Sequence, residues 1–303
     1  MDRLPPLPVD LHIPEAWQRL ARDLFRGTVL LVGATDTGKS TLARWLLEDA
    51  LSRGRSAAWL DGDLGQSSLG IPGTLNIVSR PAASAGVEKR AAFFVGSNSP
   101  RGHMLPVLTG LCRLRDRARD EGADPVFIDT SGLVAEDSGG GALKQWAVEL
   151  LTPTAVIALQ KGRELEHLLA PWRRDPRLKL HVLPVAAGVR RRSPEQRAER
   201  RQLLFRRYFA GAGLLHIDKR QKPVYGLRNA EPGCLAGLID REGFLLGAGV
   251  VKRIMADGLE LLSPCTSSGQ AAVVRLGKLR IDPFTGAERH RAGDLPFSSE
   301  DDE

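Results

Sequence analysis

Residues 33–41, Gly-Ala-Thr-Asp-Thr-Gly-Lys-Ser-Thr, form a G-x-x-x-x-G-K-[ST] loop, and no other feature of the chain limits its fold as tightly. Such a loop has to leave a buried strand and enter a helix, because its backbone N–H groups and the helix N-terminus converge on phosphate oxygens. Both flanks are present. Thr28-Val-Leu-Leu-Val32 is an apolar run suited to a buried strand, and Leu42, Trp45, Leu46 and Ala50 recur at helical spacing behind Lys39. Gly33 and Gly38 allow the bends, and Thr35, Asp36, Thr37 and Thr41 complete the cradle. Lys39 reaches the β- and γ-phosphates, and Ser40 offers its hydroxyl to Mg²⁺. The expected ligand is therefore ATP or GTP with Mg²⁺.

From Thr28 onward, candidate strands at 28–32, 56–60, 92–95, 125–129, 154–159 and 179–185 alternate with candidate helices at 39–51, 103–120, 141–151, 162–170 and 194–209. That alternation predicts an α/β domain, a parallel sheet flanked by crossover helices, over 28–211. After Gly211-Ala-Gly213 the texture changes. Short apolar runs at 235–239, 244–251, 259–262 and 272–276 are separated by turns such as Asp240-Arg-Glu-Gly243, which predicts a small antiparallel β domain over 212–286. Residues 1–27 read as a leader, with helical periodicity from Pro14 to Phe25, and 287–303 as a polar, acidic, mobile tail.

Two further strand ends carry acids. The run ending Leu60-Asp-Gly-Asp-Leu-Gly-Gln66 puts Asp61 and Asp63 two residues apart, on one side of an extended chain. In a parallel sheet, residues past the strand C-termini line the ligand crevice. One of the pair is suited to act as a general base for an attacking hydroxyl and the other to hold Mg²⁺ through water. Pro125-Val-Phe-Ile-Asp129 is a second apolar strand ending in Asp, the usual form of a carboxylate that reaches the metal shell. The metal candidates are thus Ser40, Asp129 and one of the Asp61/Asp63 pair, with Asp61 taking that place if Asp63 is the base. Gly96-Ser-Asn-Ser-Pro-Arg-Gly102, between a strand and a helix, is an anion-friendly loop.

Charge adds a polyanionic partner. The chain carries a formal +7, and the portion before the acidic run Ser298-Ser-Glu-Asp-Asp-Glu303 carries +11. Residues 173–207 hold twelve Lys/Arg against three acids, and Arg197 and Arg201 share a helix face. Like charges stacked that way suit a lid, spanning about 190–207, that closes over phosphates. Cys112, Cys234 and Cys265 show no C-x-x-C spacing, which argues against a zinc site or disulfide framework. No run approaches the roughly 18 apolar residues of a membrane span, and the N-terminus lacks a signal-peptide layout, so a cytoplasmic setting is expected.

In this order the pieces resemble the RNA 5′-hydroxyl kinases, the polynucleotide kinases of the eukaryotic mRNA cleavage-factor and ribosome-biogenesis type with their archaeal and bacterial relatives. The likeness runs from about residue 27 to about 285. It is carried by the phosphate loop with Asp36, by Asp61-Gly-Asp-Leu-Gly-Gln66 with Ile71-Pro-Gly-Thr74, by Ser97-Asn-Ser-Pro100, by Asp129-Thr-Ser-Gly132 and by the arginine lid before Tyr208-Phe209. The resemblance implies a kinase that phosphorylates the 5′-hydroxyl of RNA, at a single strand or duplex end, with DNA as a further acceptor. It implies Asp63 as the base, Gln66 as an orienting residue, Asn98, Ser99 and Pro100 as a clasp on the nucleic-acid end, and Lys39, Arg197 and Arg201 as the charges over the phosphates. The alternatives are a nucleotide-binding RNA-processing scaffold or switch that transfers nothing, and a P-loop kinase for a small metabolite. No protein partner is legible.

Overall fold

The computed structural model of the chain describes residues 4, 7, 13–23, 25–82 and 87–289. The acidic run at 298–303 and most of the expected tail lie outside the described residues. The first unit contains β1 (Thr28–Gly33), α2 (Lys39–Ser52), β2 (Ala57–Gly62), β3 (Thr74–Arg80), β4 (Lys89–Phe94), α3 (Met104–Asp120), β5 (Val126–Thr130), α4 (Gly140–Leu151), β6 (Ala155–Gln160), α5 (Glu166–Trp172), β7 (Lys179–Pro184) and α6 (Pro194–Tyr208). It is preceded by the short helix α1 (Glu15–Ala21). Its seven strands run in the order β4-β3-β2-β5-β1-β6-β7.

The sheet is mixed rather than wholly parallel. Strands β2, β5, β1, β6 and β7 are parallel, but β3 is antiparallel to both β2 and β4. A parallel return needs a crossover of roughly a dozen residues or more. The segment joining β2 to β3, residues 63–73, carries no helix and is folded into the site, and the chain doubles back. The sequence pattern misses β3 because Asn76 and Ser79 interrupt its apolar run, although both are buried.

Each face of the sheet has its own core. Trp17, Leu42, Leu46, Leu47, Trp59 and Phe127 fill the side covered by α1 and α2. Leu111, Leu114, Leu143, Leu169 and Trp172 fill the side covered by α3, α4 and α5.

The second unit is a six-stranded sheet of β8 (Gly213–Asp218), β9 (Val224–Tyr225), β10 (Cys234–Ile239), β11 (Leu245–Ile254), β12 (Gly258–Ser263) and β13 (Val273–Arg280), ordered β8-β12-β11-β10-β13-β9. Its pairings are antiparallel except for the two-residue β9 on β13. A third cluster joins it to the first unit through Phe94 of β4, Phe205 of α6, Phe209 beyond it, and Leu235 and Val250. Phe205 is fully buried, and burial of such a ring contributes about 1.5–3 kcal/mol.

Two close approaches fix this junction. A Cβ on Gly237 would strike the Phe94 ring, and a Cβ on Gly277 would lie 2.5 Å from the Gly96 carbonyl oxygen. The chain also stays ordered past 287: Glu288 forms a β-bridge with Ile281, so the expected tail begins as a built turn. Among the described residues no helix is long and apolar enough to cross a membrane.

Candidate functional site

The C-terminal ends of β1, β5 and β2 lie side by side, with Leu31 in register with Asp129 and Asp129 in register with Asp61. The chain leaves β1 into the phosphate loop and enters α2 at Gly38, whose φ of 89° is a left-handed value that favours glycine. Asp36 also has a positive φ, 55°, which Asp tolerates better than most residues. Thr37 Oγ1 donates to the Ala34 carbonyl at 2.9 Å, and Lys39 Nζ donates to the same carbonyl at 2.7 Å. Lys39 is buried, and that burial lowers its pKa against the pull of Asp129, Asp63 and Asp36. Thr35 lies against Gly132 from the loop after β5, where any side chain would strike it. Thr41 occupies the first turn of α2, half-buried.

Ser40 Oγ donates to Asp129 Oδ2 at 2.5 Å, while Asp129 Oδ1 is buried with no hydrogen-bond partner among the described residues. Burial, helped by Asp61 and Asp63 and opposed by Lys39 and Ser40, pushes the Asp129 carboxyl up to about 7. A buried oxygen left bare costs about 1–3 kcal/mol unless a ligand meets it. Mg²⁺ ordinarily takes one or two carboxylates and leaves its remaining positions to water and phosphates. A hydroxyl paired with one half-used carboxylate beside a phosphate loop fits that requirement.

Asp61 is placed differently. Its Oδ2 accepts from Ser67 Oγ, Ser68 N and Leu69 N, and its Oδ1 accepts from Asp63 N. Both oxygens of this expected metal candidate accept hydrogen bonds from the loop after β2. Burial pushes it up to about 6, opposed chiefly by the Ser68 N–H.

Asp63 uses Oδ1 to accept from Gly65 N and Gln66 N at 2.9 and 2.8 Å, while Oδ2 makes no hydrogen bond among the described residues. Gln66 Nε2 donates to the Gly65 carbonyl and lies 3.5 Å from the Arg197 carbonyl, with its Oε1 buried and unpartnered among the described residues.

The loop over 96–102 closes another side. Gly96 N donates to Gly73 O, and Gly96 O accepts from Leu279 N, so both sheets hold it. Ser97 Oγ and the Ser99 backbone brace each other, Ser99 Oγ accepts from Arg101 N, and Pro100 O accepts from His103 N ahead of α3. Asn98 Nδ2 points outward from this frame and donates to Glu288 Oε2 at 2.8 Å.

Helix α6 starts with a capping box between Ser193 and Gln196, with Pro194 in the first turn, an arrangement worth about 1 kcal/mol. Its cations meet the other elements individually. Arg197 Nη2 donates to Asp36 Oδ2 at 3.0 Å, and the Arg192 backbone N–H reaches the same oxygen at 2.9 Å. The side chain of Asp36, expected in the nucleotide cradle, therefore faces the lid. Arg201 Nε donates to Glu288 Oε1.

Three residues to which the sequence assigned no role join the site in the structure. Arg200 Nη2 donates to the Ser67 carbonyl at 3.1 Å, its Nε is buried without a partner among the described residues, and Asp61 and Asp63 lie within its field. Lys144 of α4 is buried, with Nζ donating to the Ser131 carbonyl at 2.6 Å. Burial first, and Lys39 second, lowers it to about 7 against Asp63 and Asp129. Its signal was present: Lys144 is the lone cation on the buried stripe with Ala147, Val148 and Leu151. Glu288, by contrast, has no local sequence signal.

Residues 33–211 match the family described as "mRNA cleavage and polyadenylation factor CLP1 P-loop". Among curated relatives, the polyribonucleotide 5′-hydroxyl-kinase MJ1315 of Methanocaldococcus jannaschii is 27% identical over 84% of this chain and 87% of its own length. The "Protein CLP1 homolog" of Anopheles gambiae is 34% identical over 61% of this chain and 45% of its own length. A solved structure of Clp1p, described for its extended interface with Pcf11p, superposes with a TM-score of 0.64 at 14% identity, covering 87% of this chain and 77% of that one. That likeness shows a shared fold. Because the family match spans more than half of its residues, and spans the phosphate loop, both acidic strand ends and the arginine helix, this chain belongs to the CLP1 P-loop family.

Proposed function

We propose that the chain is a polyribonucleotide 5′-hydroxyl kinase, transferring the γ-phosphoryl group of ATP or GTP to the 5′-hydroxyl of RNA, with DNA as a second acceptor. The observation that carries this reading is a division of labour inside one crevice. A phosphate loop with a half-used Ser40–Asp129 pair lies on one side, and Asp63, with one oxygen unbonded, faces the same space. A loop anchored to both sheets and a lid of arginines bound the crevice. The relatives named polyribonucleotide 5′-hydroxyl-kinase support the substrate class.

Transfer is in line. The 5′-oxygen forms a bond to the γ-phosphorus as the bond to the β–γ bridging oxygen breaks, and the nucleoside diphosphate leaves. Asp63 Oδ2 takes the proton from the attacking hydroxyl. Lys39 exchanges the Ala34 carbonyl for a phosphate oxygen, and Arg197 and Arg201 add charge from the lid. Ser40 and Asp129 would hold Mg²⁺, which when bound neutralises charge on the β- and γ-phosphates. Asp61 holds the Ser67–Leu69 loop that presents Asp63, and Asn98, Ser99 and Pro100 grip the acceptor strand. The free Cys112, Cys234 and Cys265 support a reducing, cytoplasmic setting.

The test is incubation with γ-labelled ATP, Mg²⁺ and matched 5′-hydroxyl RNA and DNA oligonucleotides, with Lys39→Ala alongside. Label on the RNA 5′ end, lost in the variant, is the expected result. Intact nucleotide binding with no label on either polymer would favour a switch or a metabolite kinase instead.

A further inference from the structure

We infer that Glu288 is an internal competitor for the acceptor strand: its carboxylate fills the anion position between Arg201 of the lid and Asn98 of the clasp loop, and an incoming RNA phosphate has to displace it. The inference rests on the kinase reading for the identity of the anion and on the following geometry for the rest.

The position is a built one. After β13 the chain makes a tight turn in which Gly286 N donates to Asp282 O at 2.7 Å, and Asp282 Oδ1 accepts from Phe284 N and Thr285 N. Gly286, at φ 75°, lies so close to α6 that a Cβ there would collide with the Gln202 carbonyl. The bridge between Ile281 and Glu288 then fixes the backbone from which the carboxylate reaches Arg201 and Asn98.

Its two oxygens are used as two phosphate oxygens would be, one by a guanidinium and the other by an amide N–H. Both charged partners are largely shielded, at 18% exposure for the Arg201 side chain and 13% for Glu288. A contact so enclosed is not a loosely screened surface pair. Arg201 and Asn98 lie on different elements, the lid helix and the loop after β4, and they meet through this acid. An anion that joins lid to clasp is the task expected of the acceptor backbone. Glu288 performs it from within the chain.

Removing the competitor should tighten acceptor binding and leave nucleotide binding alone. Anisotropy of a fluorescein-labelled 5′-hydroxyl RNA oligonucleotide, with the full chain, measures this directly. Glu288→Gln keeps the size of the side chain, and Glu288→Ala serves as a second variant should the amide recreate the contact. The expected result is a Kd for RNA lowered about five- to tenfold, with ATP affinity within about twofold of wild type.

Loss of any acid raises affinity for a polyanion to some degree, so the Arg201→Ala background is essential. There, Glu288→Gln should bring no further gain, because the competitor acts through Arg201. Unchanged or weaker RNA binding in both variants, or the same gain with and without Arg201, would overturn the inference and leave Glu288 as a strut for the lid. This binding readout does not depend on transfer. A tightened Kd in a protein that phosphorylates nothing sinks the kinase reading while the competitor stands.

Discussion

Asp61 and Asp129 end adjacent strands, face each other in register, and are equally buried at 1% exposure. Their oxygens are nonetheless used in opposite ways. Asp61 takes four donors from the loop that follows it, whereas Asp129 takes one hydroxyl and keeps an oxygen bare. Identical residues at matching sheet positions thus differ: one holds a backbone, and the other keeps the oxygen that we propose a metal takes. What separates them is the chain that follows: after β2 it curls back with three donors in a row, and after β5 it leads away to α4, whose Lys144 bonds the Ser131 carbonyl rather than Asp129. A buried carboxylate becomes functional when its neighbourhood declines to satisfy it.

Four substitutions or conditions test that division, beginning with the largest effect. Asp63→Asn should lower kcat roughly 10²- to 10⁴-fold while nucleotide Kd stays within a few-fold. A large loss of nucleotide affinity would make Asp63 a binding residue and move the base elsewhere. Asp129→Asn should cost roughly 10²- to 10³-fold in kcat/KM and abolish the rise in Tm expected of the wild type with Mg²⁺ and nucleotide. If that rise survives and disappears in Asp61→Asn instead, the comparison is inverted. Asp61→Asn itself should act first on folding, lowering stability by about 1–3 kcal/mol because donors are left facing an amide. A native Tm with lost activity would contradict a structural role.

The smallest effect concerns pH. Because the Asp129 carboxyl is pushed up to about 7, the folded metal-free chain keeps a proton that the unfolded chain releases near pH 4. Between those values the unfolded state binds fewer protons, so raising pH removes stability from the metal-free protein. Metal binding needs the carboxylate, so the Tm gain from Mg²⁺ should be small at pH 6 and full at pH 8. Thermal melts at both pH values, with and without Mg²⁺, measure this, and Asp129→Asn should flatten it.

Much of this was legible in the residues. The phosphate loop announced a strand before it and a helix behind it, and both acidic strand ends followed from apolar runs closing on Asp. The antiparallel β3 escaped because its polar residues Asn76 and Ser79 are buried rather than exposed. Asn76 satisfies itself on Thr74, a bond that periodicity cannot see. The roles of Asp61 and Asp36 escaped for a related reason: the partners that engage them lie in the next loop and in the distant lid. Lys144 could have been noticed as a cation on an apolar stripe, but Glu288 could not, since only the turn after β13 and the packing of Gly286 on α6 deliver it.

The facing pair Gly96 and Gly277 changes how inherited or engineered variation in this chain should be interpreted. Gly277 belongs to a strand with no proposed catalytic residue, far along the chain from the phosphate loop. A single methyl group there would push on the backbone that carries Asn98. Gly277→Ala should therefore present as a defect in acceptor KM, with ATP KM spared. A survey that scored mutational tolerance by distance from the phosphate loop would file it as benign.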